Sequence, residues 1–178
     1  MVGRYAGEKR QDVLIEACAK SRYADRIQVI LAGKGPLENK YRRLAKKLHN
    51  PIVMEFYEPD RLLEILHMAD LYVHTSDAEI EAMSCMEAFA CGLVPVIANS
   101  PRSATPQFAL DSQSLFPAGD SDALARRIDW WIEHPQERVE MEKRYAEHAK
   151  RYALDLSIQQ TEDMFRQAIE EQKVGSAQ

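Results

Sequence analysis

The sequence predicts an α/β fold, a parallel sheet with helices on both faces followed by C-terminal helices, and three observations carry that expectation. Over the first three quarters of the chain, short apolar runs alternate with longer stretches of helical periodicity, the pattern of successive strand–helix units. Most of the short runs are rich in Val, Ile and Leu, as strands covered on both faces need to be. Beyond Ala118 the strand signals stop and only helical ones continue.

The expected strands are 1–4, 27–32, 52–56, 71–74, 94–98 and a short one at 114–116. Between them lie helical stripes: Val13, Leu14 and Ala17; Leu37, Tyr41, Leu44 and Leu48; and Leu62, Leu63, Leu66 and Ala69. A further short helix should begin near Glu81 or Ala82, after a polar loop. Asp120 or Ser121 caps a helix running to about His134, Pro135 opens the next, and 155–171 forms the last. This divides the chain into a main domain over 1–154, a C-terminal crossover helix over 155–172 and a frayed tail over 173–178. The chain opens almost directly on a strand, as the excised half of a larger protein would.

Composition narrows the function classes. The 178 residues carry 28 acidic and 23 basic side chains, a net charge of -5, which gives no broad electrostatic claim on nucleic acid or anionic membrane. Any anion must therefore be held by a local site. Cys18, Cys85 and Cys91 fit neither a disulfide framework nor a zinc pattern, so no metal site is expected. Without an apolar stretch of signal-peptide or membrane-spanning type, a cytoplasmic location is expected. His49, His67 and His74 lack metal-ligand spacing and read as surface or satisfied histidines, and Trp130 and Trp131 as packing anchors. The basic run Lys40, Arg42, Arg43, Lys46 and Lys47 reads as a solvated helix face.

Three segments could carry chemistry. Gly3-Arg4-Tyr5-Ala6-Gly7-Glu8-Lys9 follows a strand and sets two cations five residues apart at the sheet edge where ligands bind, a spacing able to grip a diphosphate. Gly33-Lys34-Gly35-Pro36 follows the second strand but lacks the third glycine of a dinucleotide fingerprint. It reads as a tight turn in which Gly35 relieves a φ demand, and as a place where backbone can approach a ligand. The third runs from Thr75 to Gly92. There a polar loop leads into a helix N-terminus suited to phosphate, and Glu79 and Glu87 could bracket a polyhydroxylated ligand. The same eight-residue spacing recurs at Glu8 with Glu16 and Glu162 with Glu170, so only the strand–loop–helix setting singles out Glu79 and Glu87.

Together, Val2-Gly3-Arg4 with Lys9, the turn Gly33-x-Gly35-Pro36-Leu37, the strand Ala69 to Ser76, and Glu79-x7-Glu87-Ala88-x-Ala90-x-Gly92 with Pro95-Val96-Ile97-Ala98 resemble the C-terminal domain of family 4 (group 1) retaining glycosyltransferases. The resemblance implies one half of a GT-B fold, a Rossmann-like unit that binds a nucleotide sugar, with the acceptor-binding N-terminal half absent from this chain. It further implies that Arg4 and Lys9 neutralise the donor diphosphate, that Glu87 takes the ribose hydroxyls and that Glu79 holds the sugar hydroxyls. The N–H groups of Ala82, Met83 and Ser84 would contact sugar or phosphate, the backbone at Gly3 and Gly33 would approach the donor, and Phe56 and Tyr57 would meet the nucleobase. Arg4, Lys9 and Glu79 are thus the expected catalytic set, working without metal or cofactor.

Where many members have Glu-Gly-Phe-Gly this chain has Glu79-Ile80-Glu81-Ala82, which adds a methyl group where the backbone would approach the sugar. That variant, with Met83-Ser84-Cys85-Met86-Glu87 and 98–109, is similar to the subgroup of bacterial cholesterol and diacylglycerol α-glucosyltransferases. UDP-glucose as donor and a lipid or glycan acceptor follow by analogy, as does contact of the full-length enzyme with the inner face of the plasma membrane. A non-catalytic nucleotide-binding module and a protein-interaction domain remain alternative readings of the same residues.

Overall fold

The computed structural model describes residues 1–175; the tail expected over 173–178 lies outside the described residues from position 176 onward. Five parallel strands form two ladders. In the first, β1 (Ile30–Ala32) pairs with β2 (Val53–Glu55), Ile30 opposite Val53. In the second, β4 (Val94–Asn99) lies between β3 (Leu71–His74) and β5 (Leu115–Pro117). All five residues from Val94 to Ala98 are buried, as a strand covered on both faces requires.

The strand expected at 1–4 is cut to a single bridge, Val2 opposite Ala32. Gly3 N–H donates to the Ala32 carbonyl and Ala32 N–H to the Met1 carbonyl, each at 2.9 Å. The ladder ends there because Tyr5 turns away to the 33–36 turn: its N–H donates to the Lys34 carbonyl at 3.1 Å and its carbonyl accepts from Leu37 N–H at 3.1 Å. Since Ala32 spends both its backbone groups on this segment while Val29 and Gly33 bond β2, the N-terminal segment occupies the other edge of β1. The strands expected at 27–32 and 52–56 shrink to three residues each, because only that much of either runs beside the other.

Among the described residues there are seven α-helices, of which the last, α7, stands clear of the strands. α1 (Gln11–Lys20) buries Val13, Leu14, Ile15, Ala17 and Cys18, and α2 (Glu38–Leu44) buries Tyr41 and continues as a 3-10 turn over Ala45–Lys47. α3 (Pro59–Met68) turns Leu62, Leu66 and the following Ala69 inward, whereas Leu63 points to solvent, one residue off the stripe the sequence suggests. α4 (Met83–Ala90) follows the polar loop after β3 and lies next to β4. α5 (Ser121–Glu133) is capped as expected, with the Asp120 carboxylate accepting from the N–H groups of Asp122 and Ala123. α1 packs against α5, tied by Lys20 to Asp122 and by Ser21 and Arg22 to the buried Asp129.

α6 (Pro135–Ala149) adds Met141 and Tyr145 to the core, where Tyr145, Phe108 and Phe89 pack as an aromatic cluster. Trp131 is buried and donates to the Gln113 carbonyl, while Trp130 stacks on His134 with centroids 4.2 Å apart. α7 (Leu154–Gly175) extends beyond the expected 155–171 at both ends and presents Leu154, Ile158, Met164, Phe165 and Ile169 to solvent. No helix among the described residues is long and apolar enough to cross a membrane.

The apposition of 1–5 with 33–37 explains both glycines of the turn. At Gly33, φ is +155° and a Cβ would lie 2.1 Å from the Gly3 carbonyl oxygen. Gly35 has no positive φ, contrary to the expectation; it is required for space, since a Cβ would sit 2.6 Å from both Tyr5 N and Tyr5 O. Backbone on both sides leaves nothing flexible to give way. Replacing Gly35 with Ala should therefore lower stability by about 1–3 kcal/mol, the usual cost of overpacking. Gly7→Ala, where a Cβ meets nothing within 4 Å, should shift the urea midpoint little; equal midpoints for the two variants would contradict this account.

Candidate functional site

The loops that leave the carboxyl ends of the N-terminal segment, β1, β2 and β3 share one edge of the fold, where open α/β sheets place their ligands. A cavity of about 450 Å³ lies on this edge, lined by Val2, Gly3, Arg4, the 32–36 turn, Phe56, Tyr57 and Leu62. It brings together five of the residues singled out in the sequence: Gly3, Arg4, Gly33, Phe56 and Tyr57. Phe56 is half exposed, and the Lys34 ammonium sits 4.5 Å from its ring centroid. Arg4 is exposed, and its guanidinium has no hydrogen bond or ion pair among the described residues.

Lys9 and Glu79 do not line this cavity. The Lys9 stem runs over Gly3, with Cδ and Cε 3.9 Å from where a Cβ would stand, and its Nζ reaches Glu79 Oε1 at 2.5 Å. Glu79 therefore does not stand in an open loop mouth opposite Glu87; its side chain is 11% exposed and folded onto Lys9. His74 Nε2 lies 3.3 Å from the same Oε1, and the Ser76 hydroxyl also faces this carboxylate. Burial alone would raise the pKa of Glu79. Interactions with His74, Lys9 and Ser76, together with the Lys9 charge, outweigh it and hold the carboxyl at about 2, down from 4.5.

His74 corrects the reading of the sequence. It is neither exposed nor satisfied: the ring is 1% exposed, and neither nitrogen has a well-formed hydrogen bond among the described residues. Two positions earlier on the same face of β3, Tyr72 stacks beside it and donates to Ser84 Oγ at 3.0 Å. The one legible signal was this alternation, because residues 72 and 74 of a strand must share a face. Arg10 was also missed. At φ 51° it precedes α1 and sends its guanidinium to Asp77 at 3.1 Å, while Arg102 approaches the same carboxylate at 3.5 Å. With Asp77 N–H bonded to the Glu8 carbonyl at 2.8 Å and Ser100 Oγ to the Asp77 carbonyl at 2.6 Å, the loop after β3 is fastened to both neighbouring loops.

α4 begins at Met83 with Ala82 as its N-cap, slightly later than expected, and no side chain caps it. The backbone N–H groups of Met83 and Ser84 have no partner among the described residues. Ala82 is 3% exposed, so its methyl group packs inward and does not crowd the outer approach to this turn, whereas Ile80 is 96% exposed. Glu87 lies one turn into α4, exposed, with no hydrogen bond or ion pair among the described residues. The carboxylates thus differ in kind, Glu79 largely shielded and ion-paired, Glu87 open. No cluster of three or more His, Cys, Asp or Glu in metal-binding geometry occurs among the described residues.

Comparison with known proteins gives this arrangement its context. The family described as glycosyl transferases, group 1, matches residues 1–152. The catalytic domain of cholesterol-alpha-glucosyltransferase from Helicobacter pylori is 50% identical, with a TM-score of 0.83 over 86% of this chain and 96% of that one. Anabaena Alr3699/HepE, solved in complex with UDP, has the same fold at 23% identity and a TM-score of 0.79, over 93% of this chain and 48% of that one. D-inositol 3-phosphate glycosyltransferase 2 of Catenulispora acidiphila is 27% identical over 96% of this chain, which spans 43% of that protein. The chain covers less than half the length of the curated relatives it matches.

The Glu79 environment makes stability depend on pH with a definite sign. Its folded pKa of about 2 lies below the ordinary 4.5, so its contribution is complete above pH 4.5 and is lost as the pH falls toward 2. The gap corresponds to about 3 kcal/mol. Urea unfolding of the wild type and Glu79→Gln across this range should show a stability difference that shrinks by about that amount on acidification. A difference independent of pH would contradict the assigned ion pair.

Proposed function

The chain belongs to the group 1 glycosyl transferases, and from that premise we propose that it is the donor-binding half of a retaining glycosyltransferase that uses a UDP-sugar, UDP-glucose. The observation that carries the reading is the cavity of about 450 Å³ with Arg4 in its wall and Lys9 laid across the adjoining Gly3. The apolar lining at Phe56, Tyr57 and Leu62 suits a nucleobase, and a guanidinium and an ammonium beside it suit a diphosphate. The half-identical catalytic domain and the UDP complexes of more distant neighbours support the same ligand class.

In this reading Glu87, open on α4, accepts from the ribose hydroxyls, and Glu79 accepts from hydroxyls of the transferred sugar. The free N–H groups at Met83 and Ser84 face sugar or phosphate at the positive end of the α4 dipole. Retention follows a front-face displacement, in which the bond from the anomeric carbon to the UDP phosphate oxygen breaks, the acceptor oxygen bonds to that carbon on the same side, and the acceptor's proton passes to the departing phosphate oxygen. Negative charge develops on the departing diphosphate, and Arg4 in the cavity wall and Lys9 beside Gly3 supply the positive charge that stabilises it without a metal. The acceptor, a lipid such as cholesterol or diacylglycerol or else a glycan, is held by an N-terminal half outside this chain. Residues 1–154 form the donor unit, α7 is the segment that crosses back toward the partner half, and the whole enzyme works in the cytoplasm at the inner face of the membrane.

Calorimetric titration with UDP, UDP-glucose and NAD tests this. UDP and UDP-glucose should bind and NAD should not. Glu87→Ala and Arg4→Ala should each weaken both UDP ligands about tenfold or more, as loss of a charge-assisted contact does. Glu79→Ala should weaken UDP-glucose more than UDP. Equal losses for both ligands in every variant would refute this division of roles, and absence of UDP binding by the wild type would refute the donor-site reading itself.

A further inference from the structure

Glu79 Oε1 has two nitrogen donors within reach, at unequal distances. Lys9 Nζ takes the short contact at 2.5 Å, and His74 Nε2 waits behind it at 3.3 Å. His74 is an unusual side chain to leave in that position. It is 1% exposed, flanked by Tyr72, and both of its ring nitrogens lack a formed hydrogen bond among the described residues, a cost that buried polar groups rarely bear without a reason. Lys9 has three N–H donors on a flexible stem and is 23% exposed, so it can swing; His74 is fixed to β3 and cannot.

We propose that His74 is a positioning residue that takes over Glu79 when Lys9 leaves. The proposal rests on the donor-site reading above. When a nucleoside diphosphate binds, its phosphates draw the Lys9 ammonium away, and a carboxylate that is 11% exposed loses its cation. The His74 ring closes by a few tenths of an ångström and donates from Nε2–H to Oε1, within the normal range for an N–H···O bond. Ser76, whose hydroxyl is also buried and without a formed bond, completes the set. The handover keeps Glu79 ionised and aimed, and leaves Oε2 for a sugar hydroxyl. A proton on Nε2 is required, which the Nε2–H tautomer or the imidazolium supplies.

Substitutions that mimic one ring nitrogen or the other separate this from a packing role. Glutamine places its amide near Nε2, asparagine near Nδ1. His74→Asn should weaken UDP binding about tenfold, and His74→Gln should restore it to within about twofold, since the charged hydrogen bond is what is lost. While Lys9 is present, His74→Asn should lower the urea midpoint of the free chain only by the packing lost with the buried ring, and His74→Gln by less. In a Lys9→Met background, where no ammonium holds Glu79, His74→Asn should become clearly destabilising, a coupling readable by a double-mutant cycle without any ligand. Equal UDP affinity for wild type and His74→Asn, no rescue by glutamine, or no coupling with Lys9→Met would each overturn the handover. If the wild type binds no UDP, the donor-site reading fails and the handover fails with it. Should the variants fail to fold, nitrogen NMR of the wild-type imidazole decides: Nε2 protonated in the UDP complex is expected, and a bare Nε2 would overturn the proposal.

Discussion

A carboxylate taken nearly out of water must keep a cation or several donors beside it, and in this chain that requirement organises the functional edge. Glu79 meets it with Lys9, seventy residues earlier in the sequence, and the ion pair pins the loop after β3 against the loop after the N-terminal segment. Arg10 with Asp77 and Ser100 with the Asp77 carbonyl repeat the fastening a few residues away. The result is a ligand edge built from loops that are individually irregular but mutually fixed. Close packing also fixes the other side of the cavity, where the backbone of Gly3 lies so near Gly33, and that of Tyr5 so near Gly35, that neither glycine leaves room for a side chain.

Parts of this were legible in the sequence for physical reasons. β3 matches its expected span, and Asp120 caps α5 as read, because burial on both faces and a cap next to an amphipathic run are local signals. The strand at 1–4 was over-read because its end is set by Tyr5 engaging a turn thirty residues away, which no local pattern records. Gly35 was read as a φ demand when its role is space against Tyr5, again a tertiary fact. For the candidate site, residue types marked the right edge: Gly3, Arg4, Gly33, Phe56 and Tyr57 line one cavity, and Lys9 meets Glu79. What stayed hidden was the state of the side chains. Nothing in the spacing of Glu79 and Glu87 distinguishes a shielded, ion-paired carboxylate from an open one, and nothing in isolation marks His74 as buried against it.

The two carboxylates suggest how one edge serves two parts of a ligand. Glu87 is exposed and unpaired among the described residues, so it costs little to bring a pair of hydroxyls to it. Glu79 is paired with Lys9, so under the proposed handover what happens at Lys9 decides what Glu79 can accept. In the proposed enzyme this coupling ties diphosphate binding to recognition of the sugar, with His74, which touches neither, holding Glu79 once Lys9 has left.

The measurement that tests the account most directly is a crystal structure of the chain with UDP-glucose. The account predicts the uracil in the cavity beside Phe56 and Tyr57, the diphosphate between Arg4, a displaced Lys9 and the first turn of α4, and the glucose hydroxyls on Glu79. A nucleotide bound elsewhere, or bound there with the Lys9–Glu79 pair still intact, would contradict it.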